Sequence, residues 1–192
     1  MSNAVLVSIQ PEWCELIANG KKKVEVRKTR PKLKAPFKCY IYCTIGKEKL
    51  WILNPSERPL YPNNIAKRFN AKSVGGATNV NGKVIGEFIC NSVINIPYSK
   101  YFVDYYHAMP LDVLEATCLG MRHIDEYLLS KSGYAWLISD LVIYDKPKEL
   151  SEFARHDTAY DNAFGWAFED RPKRVALTRP PQSWCYVDEI PA

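Results

Sequence analysis

Short apolar segments with a period of two recur along this chain of 192 residues, and turn signals rich in proline and glycine separate them. Such alternation over a few residues is typical of a β-strand with one buried face. The first segment, residues 5–9, places Val5, Val7 and Ile9 on one face. Five further strands are predicted at residues 23–29, 37–44, 84–96, 134–144 and 184–187. A β-sheet is therefore expected to organise the fold.

Three short helices are predicted between these strands. Pro11 suits the first turn of a helix, where its missing N–H is not needed, and Gly20 supplies a left-handed stop signal. Trp13 lies at a core-periodic position of this helix, so it is expected to belong to the core. Two more helices are predicted around residues 111–118 and 124–128, where they are expected to cover one end of the sheet.

Six strands with three helices favour an α+β fold, a mixed β-barrel of five to six strands flanked by short helices, over a sandwich or a βαβ fold. A chain of this length with 47% hydrophobic residues can form one domain, residues 1–192. Two stretches, 45–82 and 149–180, lack sustained periodicity and are predicted to be insertions. The first of them is either a flap that closes over a ligand or a plain surface loop.

No apolar run approaches the roughly 20 residues of a membrane-spanning helix, and no secretory signal is visible, so the chain is expected to work in the cytoplasm without contacting a membrane. Six cysteines occur without a Cys-x-x-Cys pair, which favours buried free thiols. No metal or other cofactor is expected. The histidines are expected at the surface or in the core: His107, His123 and His156. The oligomeric state is not fixed by the sequence.

Positive charge is concentrated in one segment of the chain. Residues 21–38 hold nine of the 26 basic side chains and only one acid, Glu25, whereas the net charge of the whole chain is only +5. Such a segment is expected of a surface that attracts phosphate groups. A solvated, solubilising charge run has the same composition. Composition alone leaves both interpretations open.

Two linked motifs occur in the first 27 residues. Ser8-Ile9-Gln10-Pro11 leads into the first helix, and Gly20-x-Lys22-x-x-Glu25-x-Arg27 crosses from the end of that helix into the next strand. Together they resemble the signature of ASCH domains, members of the PUA-like superfamily. The resemblance spans most of the chain but skips both predicted insertions. The family's remaining strands, particularly in phage and bacterial members, are similar to residues 84–88, 134–137 and 182–187.

The resemblance implies a small β-barrel with a basic cleft beside the first helix, which binds RNA or a modified nucleotide. Arg27 offers a planar fork for a phosphate or a base edge, and Lys22 offers a point charge. Glu25 is expected to orient Arg27 or to accept a hydrogen bond from a base amino group. The alternative is a network of ion pairs at the protein surface, which would contribute little to stability. Candidate ligand-binding residues are Ser8, Gln10, Lys22, Lys23, Glu25, Arg27, Thr29 and Trp136.

Trp136 is open to two interpretations, a stacking platform for a base or a core residue, and its position in a strand does not decide between them. Neither the base nor the choice between RNA and DNA follows from the sequence.

An enzymatic function is the alternative to binding. Some ASCH-like proteins are amidohydrolases acting on acetylated cytidine, and some relatives cleave RNA. In the amidohydrolases a threonine occupies the position of Glu25, and a carboxylate does not replace a hydroxyl as nucleophile. Thr29, on the same strand face beyond Arg27, keeps this chemistry open. Binding of RNA or a nucleotide is therefore predicted, with an RNA-processing hydrolase that uses Lys22 and Glu25 as the alternative and a protein-interaction role as a third hypothesis.

Overall fold

The computed structural model describes residues 3–53, 66–69, 76–98, 109–129, 131–156 and 174–190. The strands in these ranges are β1 (Asn3–Ile9), β2 (Val24–Arg27), β3 (Phe37–Cys43), β4 (Lys49–Leu53), β5 (Ala66–Phe69), β6 (Ala77–Asn79), β7 (Val84–Ile96), β8 (Gly133–Lys148), β9 (Ala154–His156), β10 (Arg174–Ala176) and β11 (Trp184–Asp188). The helices are α1 (Pro11–Ala18), α2 (Leu111–Ala116) and α3 (Met121–Leu128).

Six strands form the main sheet in the order β11-β1-β3-β7-β8-β2. They are the six strands predicted from the period-two segments, and the mixed α+β class is confirmed. β1 and β3 run parallel, and the other neighbours are antiparallel. No backbone pairing in the described ranges joins β11 to β2, so the sheet is open there and closure into a barrel stays a prediction.

Strand β7 is irregular where it pairs with β8. Its register with β8 shifts between Val84 and Gly86 and again between Cys90 and Ser92. A Cβ on Gly86 would overlap the backbone oxygen of Val142 in β8, which explains the glycine at the first shift. These irregularities increase the local twist, and they allow the sheet to curve around its core.

Helix α1 has the predicted bounds and packs on the inner face of the curved sheet. Pro11 occupies its first position, and Gly20 adopts a φ of 69° just beyond its end. Cys14 and Ile17 are fully buried in the main core. Helix α2 ends earlier than predicted, because Cys118 adopts a left-handed φ of 56°.

Helices α2 and α3 cover β2 from the other side. A second apolar cluster joins Leu114 of α2 and Ile124 of α3 to Val24 and Val26 of β2. These contacts bury one face of β2, as expected for helices that cover one end of the sheet. The opposite face of β2 carries the charged residues of the motif.

Strands occupy much of the described part of residues 45–82, so the expectation of a plain loop is wrong there, whereas closure over a ligand as a flap stays a prediction. β4, β5 and β6 make an antiparallel sheet with β4 at its centre. The side chain of Asn19, at the end of α1, exchanges two hydrogen bonds with the backbone of Ala66, at 2.9 and 3.1 Å. Leu50 is fully buried in the main core. That this stretch is an insertion stays a prediction, as does a single domain over the whole chain.

The described parts of residues 149–180 are also ordered rather than loop-like. A short 3-10 turn, Leu150–Glu152, precedes β9, and β9 pairs with β10. Phe153 is fully buried against Tyr40, with ring centroids 4.9 Å apart. No helix in the described part of the chain is long and apolar enough to cross a membrane.

All six cysteines are free thiols, as predicted. Four of them are buried: Cys14, Cys39, Cys43 and Cys90. Cys118 is exposed, and Cys185 is partly buried, so burial of the thiols is confirmed for four of the six.

Candidate functional site

A cleft of about 1090 Å³ opens beside α1, where β1 ends and β2 begins. Ser8 of β1, Trp13 of α1 and the charged residues of β2 line one side. Helix α3 contributes Tyr127 to the other side. The first helix and the strand that follows it thus both contribute to the lining of this cleft.

Three charged side chains form the floor of this cleft. The Nζ of Lys22 lies 3.5 Å from Oε2 of Glu25, and the Nε of Arg27 lies 3.1 Å from Oε1 of the same carboxylate. The exposed fraction is 2% for Lys22, 6% for Glu25 and 7% for Arg27. The alternative of a solvated surface network is therefore wrong, because all three charges are buried.

Backbone carbonyls fix the two cations of this floor. Lys22 donates from Nζ to the carbonyl oxygen of Thr117 at 2.7 Å, and its Nζ lies 5.3 Å from the ring centroid of Trp13. Arg27 donates from Nη2 to the carbonyl oxygen of Ser8 at 2.6 Å. Segments far apart in the sequence thus hold each cation, which gives the floor a defined geometry.

Two polar atoms of the floor have no hydrogen-bond partner. They are Oε2 of Glu25 and Nε of Arg27, both fully buried in the described structure. Charge attraction pairs these side chains, but the N–H directions do not make a hydrogen bond to the carboxylate. Buried donors and acceptors are normally satisfied, and leaving one unpaired costs about 1–3 kcal/mol. At these two atoms the floor is therefore held by ion pairing and not by well-directed hydrogen bonds.

Burial changes the acidity of the groups in the cleft. Desolvation lowers the pKa of Lys22, and the nearby carboxylate of Glu25 opposes this effect without cancelling it. Burial also raises the pKa of the Tyr127 hydroxyl, with Arg27 acting against it. Buried charges that share a cleft are costly to a fold, and titratable groups with shifted pKa values cluster at functional sites.

The charge of the cleft is balanced, which corrects the expectation of a basic cleft. Its basic lining residues in the described ranges are Lys22, Arg27 and Lys28. Its acidic lining residues in the same ranges are Glu12, Glu25 and Glu126. Most of the positive segment 21–38 points elsewhere: Lys38, for example, pairs with Glu87 at 3.1 Å. The floor is a buried set of mixed charges rather than a cationic pocket.

The structure separates the predicted ligand-binding residues into two groups. Those that line the cleft are Ser8, Gln10, Lys22, Glu25, Arg27 and Thr29. Lys23 is exposed and lies outside the cleft. Trp136 is fully buried against Phe37, with ring centroids 5.8 Å apart, so it is a core residue and not a stacking platform. Trp13, expected in the core, is half-buried and lines the cleft instead.

Sequence reasoning missed the contribution of α3. His123, Glu126 and Tyr127 line the cleft, although this helix was predicted only as cover for the sheet and His123 only as a surface or core residue. Their spacing of three and four residues places them on one helical face, and Ile124 and Leu128 lie buried on the other. The polar residues on this face were the signal in the sequence that could have indicated a contribution of α3 to the cleft. No group of three metal-ligating side chains exists in the described ranges.

Comparison with known proteins identifies what this fold resembles. A family model described as "ASCH domain" matches residues 7–113. No curated protein matches the sequence significantly. The crystal structure of ASCH from Zymomonas mobilis superposes with a TM-score of 0.53 at 16% identity, covering 97% of this chain and 88% of that one.

Two variants of the same bacterial protein superpose equally well. A tyrosine-to-phenylalanine variant gives a TM-score of 0.52 and a serine-to-alanine variant 0.53, both at 16% identity and 97% coverage of this chain. The superpositions cover 91% of the length of the first variant and 89% of the length of the second. Identity this low establishes a shared fold and carries no argument about individual site residues.

Proposed function

The chain belongs to the ASCH domain family, which is associated with RNA binding, and we propose that it binds a nucleotide of RNA in the cleft beside α1. The observation that carries the proposal is the floor of buried charges, Lys22, Glu25 and Arg27, in a cleft that Trp13 and Tyr127 also line.

The edge of a nucleobase suits a floor of mixed charge. Every base carries N–H donors and lone-pair acceptors next to each other, so a single edge matches a carboxylate beside a guanidinium better than an anion does. A bare phosphate offers acceptors only and is repelled by the carboxylate. The balanced charge of the cleft therefore supports binding of a base at the floor, with phosphates nearer the rim.

Aromatic side chains in the cleft wall support the same conclusion. Trp13 and Tyr127 both line the cleft, and Tyr127 is 39% exposed. Stacking of a base on an aromatic ring contributes about 1–3 kcal/mol and tolerates any base. A flat ligand is therefore better suited to this space than a compact anion.

Binding of fluorescent single-stranded RNA at rising salt concentration tests the proposal. We expect affinity to fall steeply with salt, Arg27→Ala to abolish binding, and Tyr127→Ala to weaken it at least tenfold. Lys83→Ala removes a lysine that pairs with Glu149 outside the cleft, so it is the matched control and should bind normally. Circular dichroism checks that each variant is folded. Absent affinity at low salt, or affinity indifferent to both cleft substitutions, rejects the proposal.

A hydrolase that uses the same cleft is the second candidate. The observation in its favour is the buried amine of Lys22 next to the carboxylate of Glu25, because burial lowers the pKa of the amine and a lysine with a lowered pKa is better suited to general acid–base catalysis. Thr29 does not supply the missing nucleophile at the floor, since it is exposed and its Oγ1 accepts a hydrogen bond from Trp184 at 3.0 Å.

Product analysis separates the two functions. If the chain is a hydrolase, product accumulates from RNA or from an acetylated nucleoside and disappears in Lys22→Ala. If it only binds, prolonged incubation leaves every substrate intact. The absence of turnover over a broad panel of RNAs and modified nucleosides would reject the enzymatic function and leave the binding proposal in place.

A further inference from the structure

We propose that single-stranded RNA leaves the cleft along a track of exposed cations and neighbouring tyrosine rings, so that the ligand is a strand and not a free nucleotide. The track consists of Lys28, Arg30 and Lys32 with Tyr127, Tyr134 and Tyr186. The inference rests on the proposed function and specifies its ligand. It is carried by contacts around residues 28–32, the segment that follows β2.

The track begins at the rim of the cleft. Lys28, Thr29 and Tyr127 all line the cleft opening. The Nζ of Lys28 lies 5.2 Å from the ring centroid of Tyr127. A nucleotide whose base occupies the cleft would therefore have its phosphate next to a lysine and an exposed aromatic ring.

Further along the track, Arg30 and Tyr134 form a second pair of a cation and an aromatic ring. The guanidinium of Arg30 lies 5.7 Å from the ring centroid of Tyr134, the β8 residue paired with Arg27. Between these two pairs, Thr29 is anchored to Trp184 by the hydrogen bond from the indole Nε1. The segment is thus held against β11 rather than extending freely into solvent.

Tyr186 marks the far end of the track. Its hydroxyl accepts a hydrogen bond from the backbone N–H of Lys32 at 2.7 Å. Its ring packs edge-on against Trp184 at a centroid distance of 5.4 Å, and 37% of the residue is exposed. Tyr186 is therefore a partly exposed aromatic ring that is held in place by Trp184 and by the backbone of Lys32.

The cations of the track are available for phosphate. Within the described ranges, none of Lys28, Arg30 and Lys32 forms an ion pair with a carboxylate. Lys38, later in the same basic segment, contrasts with them, because it pairs with Glu87 and Glu189. Exposed cations that alternate with aromatic rings are typical of surfaces that bind single strands, since phosphates pair with the cations and bases stack on the rings.

Binding of ligands of increasing length tests the track. The probes are the four ribonucleoside monophosphates and single-stranded RNAs of about four and about eight nucleotides. We expect the oligonucleotides to bind at least tenfold more tightly than any monophosphate. The double variant Arg30→Ala/Lys32→Ala should weaken the oligonucleotides far more than a monophosphate, and it should reduce the slope of log affinity against log salt by about two.

Tyr186 provides a matched pair of variants. Tyr186→Ala removes the ring and should weaken oligonucleotide binding about tenfold, whereas Tyr186→Phe keeps the stacking surface and should stay within about threefold of the parent. Lys83→Ala controls for the loss of one positive charge elsewhere.

The outcomes distinguish the track from the cleft. Equal affinity for monophosphates and oligonucleotides, equal affinity for duplex RNA, or an unchanged salt slope in the double variant overturns the track. If Arg27→Ala abolishes oligonucleotide binding in those cases, the proposed function of the cleft still holds. If no probe binds at low salt, the proposed function fails and the track fails with it.

Discussion

Trp184 donates a hydrogen bond from its indole Nε1 to Oγ1 of Thr29 at 3.0 Å, and this bond spans the open side of the main sheet. Trp184 begins β11 at one edge, and Thr29 follows β2 at the other. Arg27 adds a second link, because it reaches from β2 to the backbone of Ser8 in β1. Side chains thus bring the two edges together without a backbone ladder, and the cleft opens where they meet.

Replacing Thr29 by valine should weaken this link. Valine has the shape of threonine but no acceptor, so the free energy of unfolding should fall by about 0.5–1.5 kcal/mol in a urea titration. The loss should stay at the low end, since both side chains reach solvent and water can replace the hydroxyl. Thr29→Ser keeps the oxygen and is the control. Equal stability of the valine and serine variants would show that the bond contributes nothing.

Replacing the charged floor should separate stability from function. Glu25→Gln leaves Lys22 and Arg27 buried without a counter-charge, so it should lower the free energy of unfolding by about 3–5 kcal/mol. The triple variant Lys22→Met/Glu25→Gln/Arg27→Met removes every charge and should be more stable than Glu25→Gln alone, while RNA binding is lost. Chemical denaturation and binding of labelled RNA measure the two effects. A triple variant that still binds RNA would show that the floor serves the fold only.

The sequence predicted the members of this floor but not their burial. Lys22, Glu25 and Arg27 follow from the motif, and their period-two spacing places Glu25 and Arg27 opposite Val24 and Val26. A strand with one charged face normally leaves that face in water. Here both faces of β2 are buried, because α2 and α3 cover the valines and the cleft wall surrounds the charges. The residues that complete the cleft wall come from segments distant in the sequence. A local hydrophobic pattern carries no information about such contacts.

Two glycines should respond very differently to substitution by alanine. A Cβ at Gly86 would overlap the backbone of Val142, so Gly86→Ala must open the pairing of β7 with β8 and should cost several kcal/mol, of the order seen for severe core changes. Gly20 has open space around it but a φ of 69°, so Gly20→Ala should cost only about 1–2 kcal/mol. Thermal unfolding of both variants makes the comparison.

Asparagine at position 20 tests the reason given for the smaller effect. Asparagine tolerates the left-handed conformation better than alanine, so Gly20→Asn should be the more stable of the two. The reverse order would mean that backbone conformation does not explain the glycine. At position 86 both alanine and asparagine should destabilise the protein, because their Cβ would overlap the neighbouring strand β8.

The glycines also show which parts of the fold a sequence can predict. Gly20 was identified as a helix stop signal from its place after the first helix, whereas the obstacle at Gly86 lies in the neighbouring strand. By contrast, residues 45–82 contain prolines and glycines that indicate a loop, yet Leu50 and Val80 are fully buried. Strands as short as β6, with three residues, give too few positions for a period to emerge. β6 is held by its pairing with β4, and β4 packs against α1, contacts that only the folded chain provides.

Buried thiols should make the protein less stable at alkaline pH. Burial raises the pKa of Cys90 from 9.0 to about 12, although hydrogen bonding with the backbone of Ser92 and Leu137 opposes this. Between pH 9 and 12 the native protein therefore keeps a proton that the unfolded chain loses. Stability that is complete below pH 9 is then lost as pH rises, by up to about 1.4 kcal/mol per pH unit for this thiol.

Urea titrations at several pH values measure the slope, under reducing conditions that keep every thiol free. Cys90→Ala should reduce the slope by about one proton over this range, even though the loss of the buried side chain lowers stability at pH 7. Cys185→Ala is an independent check: burial raises the pKa of the Cys185 thiol to about 11, so the contribution of this thiol to the slope should end near that pH.

Lys22 acts in the opposite direction. Because its pKa is lowered in the native state, its unfavourable contribution diminishes as pH rises towards 10.5, and Lys22→Met should therefore steepen the decline. A slope that is the same in all three variants and in the parent would show that none of these groups is buried as the structure places it.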